Sequence, residues 1–322
     1  MTMANGEQTY QFKALTDLWT GDLNEKSGRL IPTGLLGSIR WWFEVLVRGL
    51  GGSACDPSYT KCEVRNHCVV CELFGCTGWA RKFRFEVLDG NGDTKTDQIT
   101  KDDTKTDQIT KDPTFSFRFT SLRPIRIEEW VLLDATLRLI AGYGAIGGKT
   151  VFKPTDEPSR AGKPHHKDYG LVRMVSSRQL AETRRDDLEK YLSKWRKLNH
   201  GEFAWASLEH FWCVKGKYLG REDNNKSTFN QVLGRQEAKN QGQQLTTHND
   251  GIARWLAGSQ RESKKVFSFK NPARTFGFVK PGLIAFDDMR ERLAEAWGQN
   301  GWDFLTGDKI LKQLFTGEED RS

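Results

Sequence analysis

The sequence has no run of about 18 or more apolar residues, so it offers no candidate transmembrane helix. Its opening stretch, MTMANGEQTY, is polar and lacks the apolar segment of a secretory signal. A cytoplasmic protein is the expectation. Histidine is scarce, with six in 322 residues, and neither an HExxH helix nor a Ser/His/Asp arrangement is visible. No catalytic constellation is therefore assigned. One histidine suffices for general-base cleavage of RNA, so a metal-independent endoribonuclease is kept as an alternative. A complete phosphate loop is missing too. Gly142–Thr150 reads GYGAIGGKT, and tyrosine stands at position 143 where a Walker A loop needs glycine. The loop also follows a helical pattern and precedes a strand, the reverse of a P-loop. Nucleotide hydrolysis is excluded on both grounds.

What is present allows one large domain or two of ordinary size, with 37% hydrophobic residues and 11 tryptophans to fill a core. The formal net charge of +7 is moderately basic and favours a polyanionic partner.

The most strongly specified element lies between Ile31 and Gly52. Leu35, Leu36, Ile39, Trp42, Phe43, Leu46, Val47 and Leu50 follow the rhythm of one helical face. Arg40, Glu44 and Arg48 recur every four residues on another face, where opposite charges pair. Thr33 is the expected N-cap and Gly51-Gly52 the stop. Pro32, Thr33, Gly34, Gly37 and Ser38 at the start are too small to fill a core. They leave room for a ligand at the first turn, whose free N–H groups suit a phosphate.

Tyr10, Phe12 and Ala14 mark a half-buried strand before this helix. Lys82–Val87 and Thr114–Phe119 alternate apolar and polar residues as strands do. Ile127–Ala141 is a second helix with Trp130, Leu133, Leu137 and Ile140 on one face. It runs into the glycine loop and a short strand at Val151-Phe152. The order β-α-β-β-α-β describes a ferredoxin-like, RRM-type unit over residues 1–153. Its loop at residues 90–112 contains DTKTDQITKD twice in succession, a polar repeat expected to form a flexible loop or extended hairpin. Pro154, Pro158 and Pro164 mark a linker. Residues 154–322 are expected to form a second α+β domain, with helices over Leu180–Leu198, Phe286–Gly298 and Trp302–Phe315. Two strands are expected around Asn271-Pro272.

Five cysteines cluster between the first helix and the second strand: Cys55, Cys62, Cys68, Cys71 and Cys76. Cys68-Val-Val-Cys71 has the spacing that clasps one side of a zinc ion, and Cys62 with either Cys55 or His67 would complete a tetrahedron. Free or disulfide-bonded thiols are the plainer alternative. Cations alternate with rings at Arg81–Phe85 and Lys264–Lys270, a pattern shared by RNA-stacking strands and by ordinary amphipathic ones. For each strand alone the amphipathic reading is preferred.

The run from Pro32 to Glu44, the segment CVVCELFGCT and the glycine loop after the second helix resemble the RAMP superfamily of CRISPR proteins. Within it they look most like subunits of the Cmr module. The likeness is good over residues 8–153 and weaker beyond. It implies two ferredoxin-like domains, the second elaborated. It also implies a non-catalytic subunit of a type III-B effector complex, near the 3′ end of the guide. Expected partners are guide RNA, complementary single-stranded target RNA and sibling Cmr-module subunits. No cofactor is required; a structural zinc on Cys55, Cys62, Cys68 and Cys71 is the candidate that the cysteine spacing itself offers. Carried over by position, the RNA-facing residues are Thr33, Gly34, Ser38 and Arg40, with Gly142, Gly144, Gly147, Gly148 and Lys149. Arg40 is expected to face the glycine loop. Relatives often carry arginines in that loop; here Ile146-Gly147-Gly148 stands there, and Lys149 supplies a point charge without a guanidinium fork.

Overall fold

The structure is a computed structural model. It describes the chain except residues 1–2, 5, 22–28, 57–61, 65, 97–98, 100–113, 148–153, 161–162, 178–183, 200, 224–225, 236–250, 259–261 and 317–322. The chain forms two compact units. One comprises Met1–Lys149, Tyr169–Glu209 and Asp308–Ser322, the other Thr150–Asp168 and His210–Gly307.

The first unit begins with the short strand β1 (Met3–Ala4), then β2 (Glu7–Ala14), α1 (Pro32–Gly49) and α2 (Val69–Phe74). It continues with β3 (Phe83–Leu88), β4 (Thr114–Ser121), the short β5 (Ile125–Arg126) and α3 (Ile127–Tyr143). Strand β6 (Val172–Ser177) and helix α4 (Arg185–Leu192) complete its main body. The main sheet is antiparallel in the order β3-β4-β2-β6. Numbered within the unit, that is 2-3-1-4, the ferredoxin-like arrangement. The register sets Phe12 opposite Phe115 and Tyr10 opposite Phe117. Because strand side chains alternate, Tyr10, Phe12, Phe83, Phe85, Phe115, Phe117 and Phe119 all fall on one buried face. Each contributes about 1.5–3 kcal/mol by leaving water. The opposite face carries Arg84, Glu86, Arg118 and Glu7, which pair with one another.

A buried carboxylate ties the helices to this sheet. Glu129, in the first turn of α3, accepts from Lys82 Nζ at 2.9 Å and from the Tyr191 hydroxyl of α4 at 3.1 Å. It also accepts the Arg126 backbone N–H at 2.8 Å, closing the start of its own helix. Its charge is matched and its oxygens are occupied, as burial demands.

The second unit has strands β7 (Phe211–Lys215), β8 (Val266–Lys270), β9 (Ala273–Phe278) and β10 (Leu305–Thr306). Its helices are α5 (Thr228–Val232), α6 (Gly251–Ala257) and α7 (Phe286–Trp297). Helix α8 (Gly307–Thr316) falls in the first unit from Asp308 onward. The sheet is antiparallel in the order β10-β7-β9-β8. This is again 4-1-3-2 within the unit, so both units are ferredoxin-like. Among the described residues no helix is long and apolar enough to cross a membrane.

Several expectations change. The fourth strand of the first sheet is β6, so the first unit runs past residue 153; the strand expected at Val151-Phe152 lies outside the described residues. Strand β6 pairs with β2 over a separation of some 160 residues, which no local pattern reveals. The proline-bearing linker is ordered onto the second unit, where Asp156 meets Lys270 Nζ at 2.5 Å and the Tyr218 hydroxyl at 2.8 Å. The helix expected over Leu180–Leu198 is the shorter α4, and it belongs to the first unit. Within the polar repeat, Ile99 is buried and its carbonyl accepts the Leu18 N–H at 2.8 Å, so this part of the loop is docked. The rest of the repeat from residue 100 lies outside the described residues.

Candidate nucleic-acid interface

Helix α1 starts two residues earlier than expected. Ile31 is the N-cap in extended conformation and Pro32 takes the first helical position, where its missing N–H costs nothing. Thr33 is thus exposed in the first turn rather than capping it. Gly34 and Leu35 donate their amides to the Ile31 carbonyl at 3.0 and 3.4 Å, so fewer donors face outward than the sequence implied. Thr33, Gly34 and Gly37 are exposed, and an added Cβ at Gly37 would meet open space. The first turn carries no acidic residue, which leaves the positive end of the helix dipole unopposed from within.

The glycine loop docks directly on this end of α1. Gly147 donates its N–H to Ser38 Oγ at 3.2 Å. One turn further, Trp42 Nε1 donates to the Ala145 carbonyl at 2.8 Å. Ile146 N–H reaches the Gly170 carbonyl at 2.8 Å, which fixes the loop's other side. Two of the glycines have packing reasons. A Cβ on Gly144 would lie 2.5 Å from the Trp42 ring. Gly147 has φ +105, and a Cβ there would lie 2.8 Å from the Trp19 carbonyl oxygen. Gly142 is within α3, and a Cβ there would touch nothing within 4 Å. Gly148 and Lys149 lie outside the described residues. The structure therefore joins Ser38 to Gly147, with Thr33 and Gly34 one turn away on the same helix end. Trp42, read from sequence only as core, is the residue that seats the loop.

Arg40 does not join them. Its Nη1 donates to the Gly75 carbonyl at 2.9 Å, and its Nη2 faces Cys71 Sγ at 3.4 Å and Cys55 Sγ at 3.8 Å. Its Nε donates to Glu44 at 3.1 Å, and Glu44 also meets Arg48 at 3.6 Å. Burial works against the Arg40 charge, but Glu44 and the sulfurs outweigh it and raise its pKa. Burial raises the Glu44 carboxyl and lowers Arg48 in turn. The reason Arg40 misses the loop is helical geometry. At about 3.6 residues per turn, Ser38 and Arg40 point nearly opposite ways, whereas Ser38 and Trp42 share a face.

The sulfurs of Cys55, Cys62, Cys68 and Cys71 lie within 4.8 Å of one another and are buried. His67, the other expected ligand, is engaged elsewhere: Nε2 meets Glu72 at 2.7 Å and Nδ1 meets the Glu63 carbonyl at 3.2 Å. The cation-and-ring strands are internal. Phe83 and Phe85 point into the core while Arg84 stays outside. Lys265 is fully buried, against Ser263, Glu262 and the Trp255 ring. Lys264 lies over Phe229, and Lys270 holds Asp156.

Residues 11–152 match the family model of the RAMP superfamily. This segment is similar to RAMP proteins. It contains the whole junction of α1 with the glycine loop and all five clustered cysteines. The chain is similar in fold to Cmr1 from Pyrococcus furiosus, at 11% identity over 94% of this chain and 99% of that one, with a TM-score of 0.42. It is also similar to a chain of the type III-B Cmr-beta complex bound to cognate target RNA and AMPPnP in the presence of single-stranded DNA. There the identity is 9%, over 91% of this chain and 99% of that one, with a TM-score of 0.46. A chain of Cmr-beta bound to cognate target RNA matches at 13% identity, covering 64% of this chain and 61% of that chain, with a TM-score of 0.35. No curated protein sequence matches the chain.

Proposed function

We propose that the chain is a non-catalytic RNA-binding subunit of a type III-B CRISPR effector complex. In this reading it contacts guide and target RNA near the guide's 3′ end and assembles with sibling RAMP subunits. The observation that carries it is the Ser38–Gly147 junction inside the segment that matches the RAMP family model. It sets the small-residue start of α1 beside a glycine loop, leaving Thr33, Gly34 and Gly37 open to a passing backbone. Small residues, a helix N-terminus and a docked glycine loop fit phosphate contact without base reading. The basic balance of +7 agrees with a polyanionic partner. The buried aromatic rings of the first sheet argue against base stacking on that sheet, so recognition is assigned to backbone contact.

Fluorescence anisotropy with single-stranded RNA tests this. Affinity should fall steeply with salt, and the RNA should stay intact over prolonged incubation. If neither the chain nor a complex copurified through it binds RNA, the reading fails. Metal-independent cleavage of repeat RNA, lost on changing one histidine, would replace it with the endoribonuclease alternative. RNA binding by the complex but not the free chain would reduce this subunit to assembly.

A further inference from the structure

Among its described residues, the segment between Gly52 and Arg81 has one short helix, α2, and isolated bridges at Glu63–Asn66 and Cys76–Trp79. It closes over the side of α1 away from the glycine loop, where Arg40 meets Gly75, Cys55 and Cys71. What gathers it is sulfur. Cys55 follows α1, Cys62 lies in the loop, Cys68 is the N-cap of α2 and Cys71 sits in its first turn. Four thiols of separate origin converge at one buried point.

We infer that Cys55, Cys62, Cys68 and Cys71 bind one zinc ion as a structural tetrathiolate. A tetrahedral site with Zn–S near 2.3 Å has sulfur–sulfur edges of about 3.8 Å. The four sulfurs all lie within 4.8 Å of one another, and Cys55 and Cys71 are 3.4 Å apart. That spacing needs only a small adjustment to receive the ion. It is too long for a disulfide, whose sulfurs sit at about 2.05 Å. Pairing any two would also leave two thiols stranded in the same point.

Arg40 supplies the independent observation. Its Nη2 is aimed at two of the sulfurs rather than at water, although the side chain is only partly buried. A neutral thiol is a weak acceptor for a guanidinium, whereas a metal-bound thiolate is a good one. Zinc with four thiolates carries a charge of −2, and binding releases four protons from four thiols. Arg40 then offsets part of that charge and holds Cys71 and Cys55 through N–H···S bonds, the outer support that metal ligands need. Four sulfur donors suit zinc better than the hard cations. This site serves the fold of the loop and stands independently of the RNA reading.

The experiment uses the full chain, refolded or purified with zinc under reducing conditions and without chelator. Elemental analysis should give one zinc per chain. A mercurial thiol reagent should release it in one step. Cobalt exchange should give an intense sulfur-to-metal band with tetrahedral visible absorption. Cys68→Ser and Cys71→Ser should lose the metal, while Cys76→Ser and Cys213→Ser should keep it. Arg40→Gln should weaken zinc affinity by about ten-fold or more with the stoichiometry unchanged. Should the cysteine variants fail to fold, chelator added to the wild-type chain should lower its melting temperature, with zinc restoring it. Less than about a tenth of an equivalent of zinc after reconstitution, with no cobalt band, overturns the site. So does a red iron–thiolate spectrum in place of zinc, or loss of metal in Cys76→Ser equal to that in Cys71→Ser.

Discussion

The Gly147 amide donates to the Ser38 hydroxyl at 3.2 Å, joining residues 109 positions apart. This one bond links the first turns of α1 to the loop after α3. Trp42, one turn below Ser38, donates to Ala145 and repeats the link. The loop is therefore clamped on one face of α1, while Arg40 on the other face serves the cysteine-rich segment. One helix carries two different tasks on opposite sides, and they should be separable by mutation.

The glycines of the loop should divide into two classes. Gly144→Ala drives a methyl into the Trp42 ring, and Gly147→Ala adds positive φ to a contact with the Trp19 carbonyl. Each should cost about 1–3 kcal/mol in urea unfolding. Gly142→Ala, in a helix with open space around it, should be neutral or stabilising by up to about 1 kcal/mol. Equal effects at all three positions would show that the loop does not dock as described.

The two faces of α1 should respond differently to charge. Thr33→Glu and Gly37→Glu place carboxylates at the exposed helix start. On the proposed reading they should weaken RNA binding about ten-fold or more and reduce its salt dependence. Arg40→Gln should leave RNA affinity within about two-fold once the chain is folded, because its guanidinium faces Gly75 and the sulfurs. Anisotropy titrations at two salt concentrations compare them directly; a reversed ranking would move the RNA site to the sulfur side.

Lys265 tests whether the cation-and-ring strand meets RNA. Its ammonium is buried against Ser263, Glu262 and the Trp255 ring, and burial lowers its pKa. Lys265→Met should shift stability by about 1–3 kcal/mol in either direction while leaving RNA affinity unchanged. A loss of RNA binding in a variant of normal stability would place this lysine on the binding surface.

Much of this was legible in the sequence. The Phe alternations at Phe83–Val87 and Thr114–Phe119 became β3 and β4, and the apolar stripe after Ile31 became α1. The CxxC and its two companions became a single cluster. The fourth strand was not legible, because Val172–Ser177 has a weak apolar pattern and its identity comes from pairing with β2. That His67 stands apart from this cluster was likewise not legible, because Glu72 claims its imidazole only in the fold. The direction of Arg40 follows from helix geometry alone. Ser38 and Trp42 are four residues apart and share a face, so Arg40 midway between them had to point elsewhere.

Acid should loosen the second unit at Asp156. Burial alone would raise this carboxyl's pKa, but the hydrogen bonds from Lys270 and Tyr218 outweigh it and hold it below the usual carboxylate range. Tyr218 is correspondingly pushed up to about 12, by burial and by the carboxylate it donates to. With the folded pKa depressed, the unfolded chain takes up the proton first. The pair's contribution is thus fully present above the unfolded value near pH 4, and is lost as pH falls through the folded value. Since Asp156 is about a third exposed, with 36% of its side chain accessible, the contribution is modest, about 0.5–1 kcal/mol. Asp156→Asn should therefore lower stability by that amount at pH 7, with the gap to wild type closing toward pH 3. Urea melts across that range measure it. A gap that persisted undiminished at low pH would mean that Asp156 acts through packing rather than through its charge.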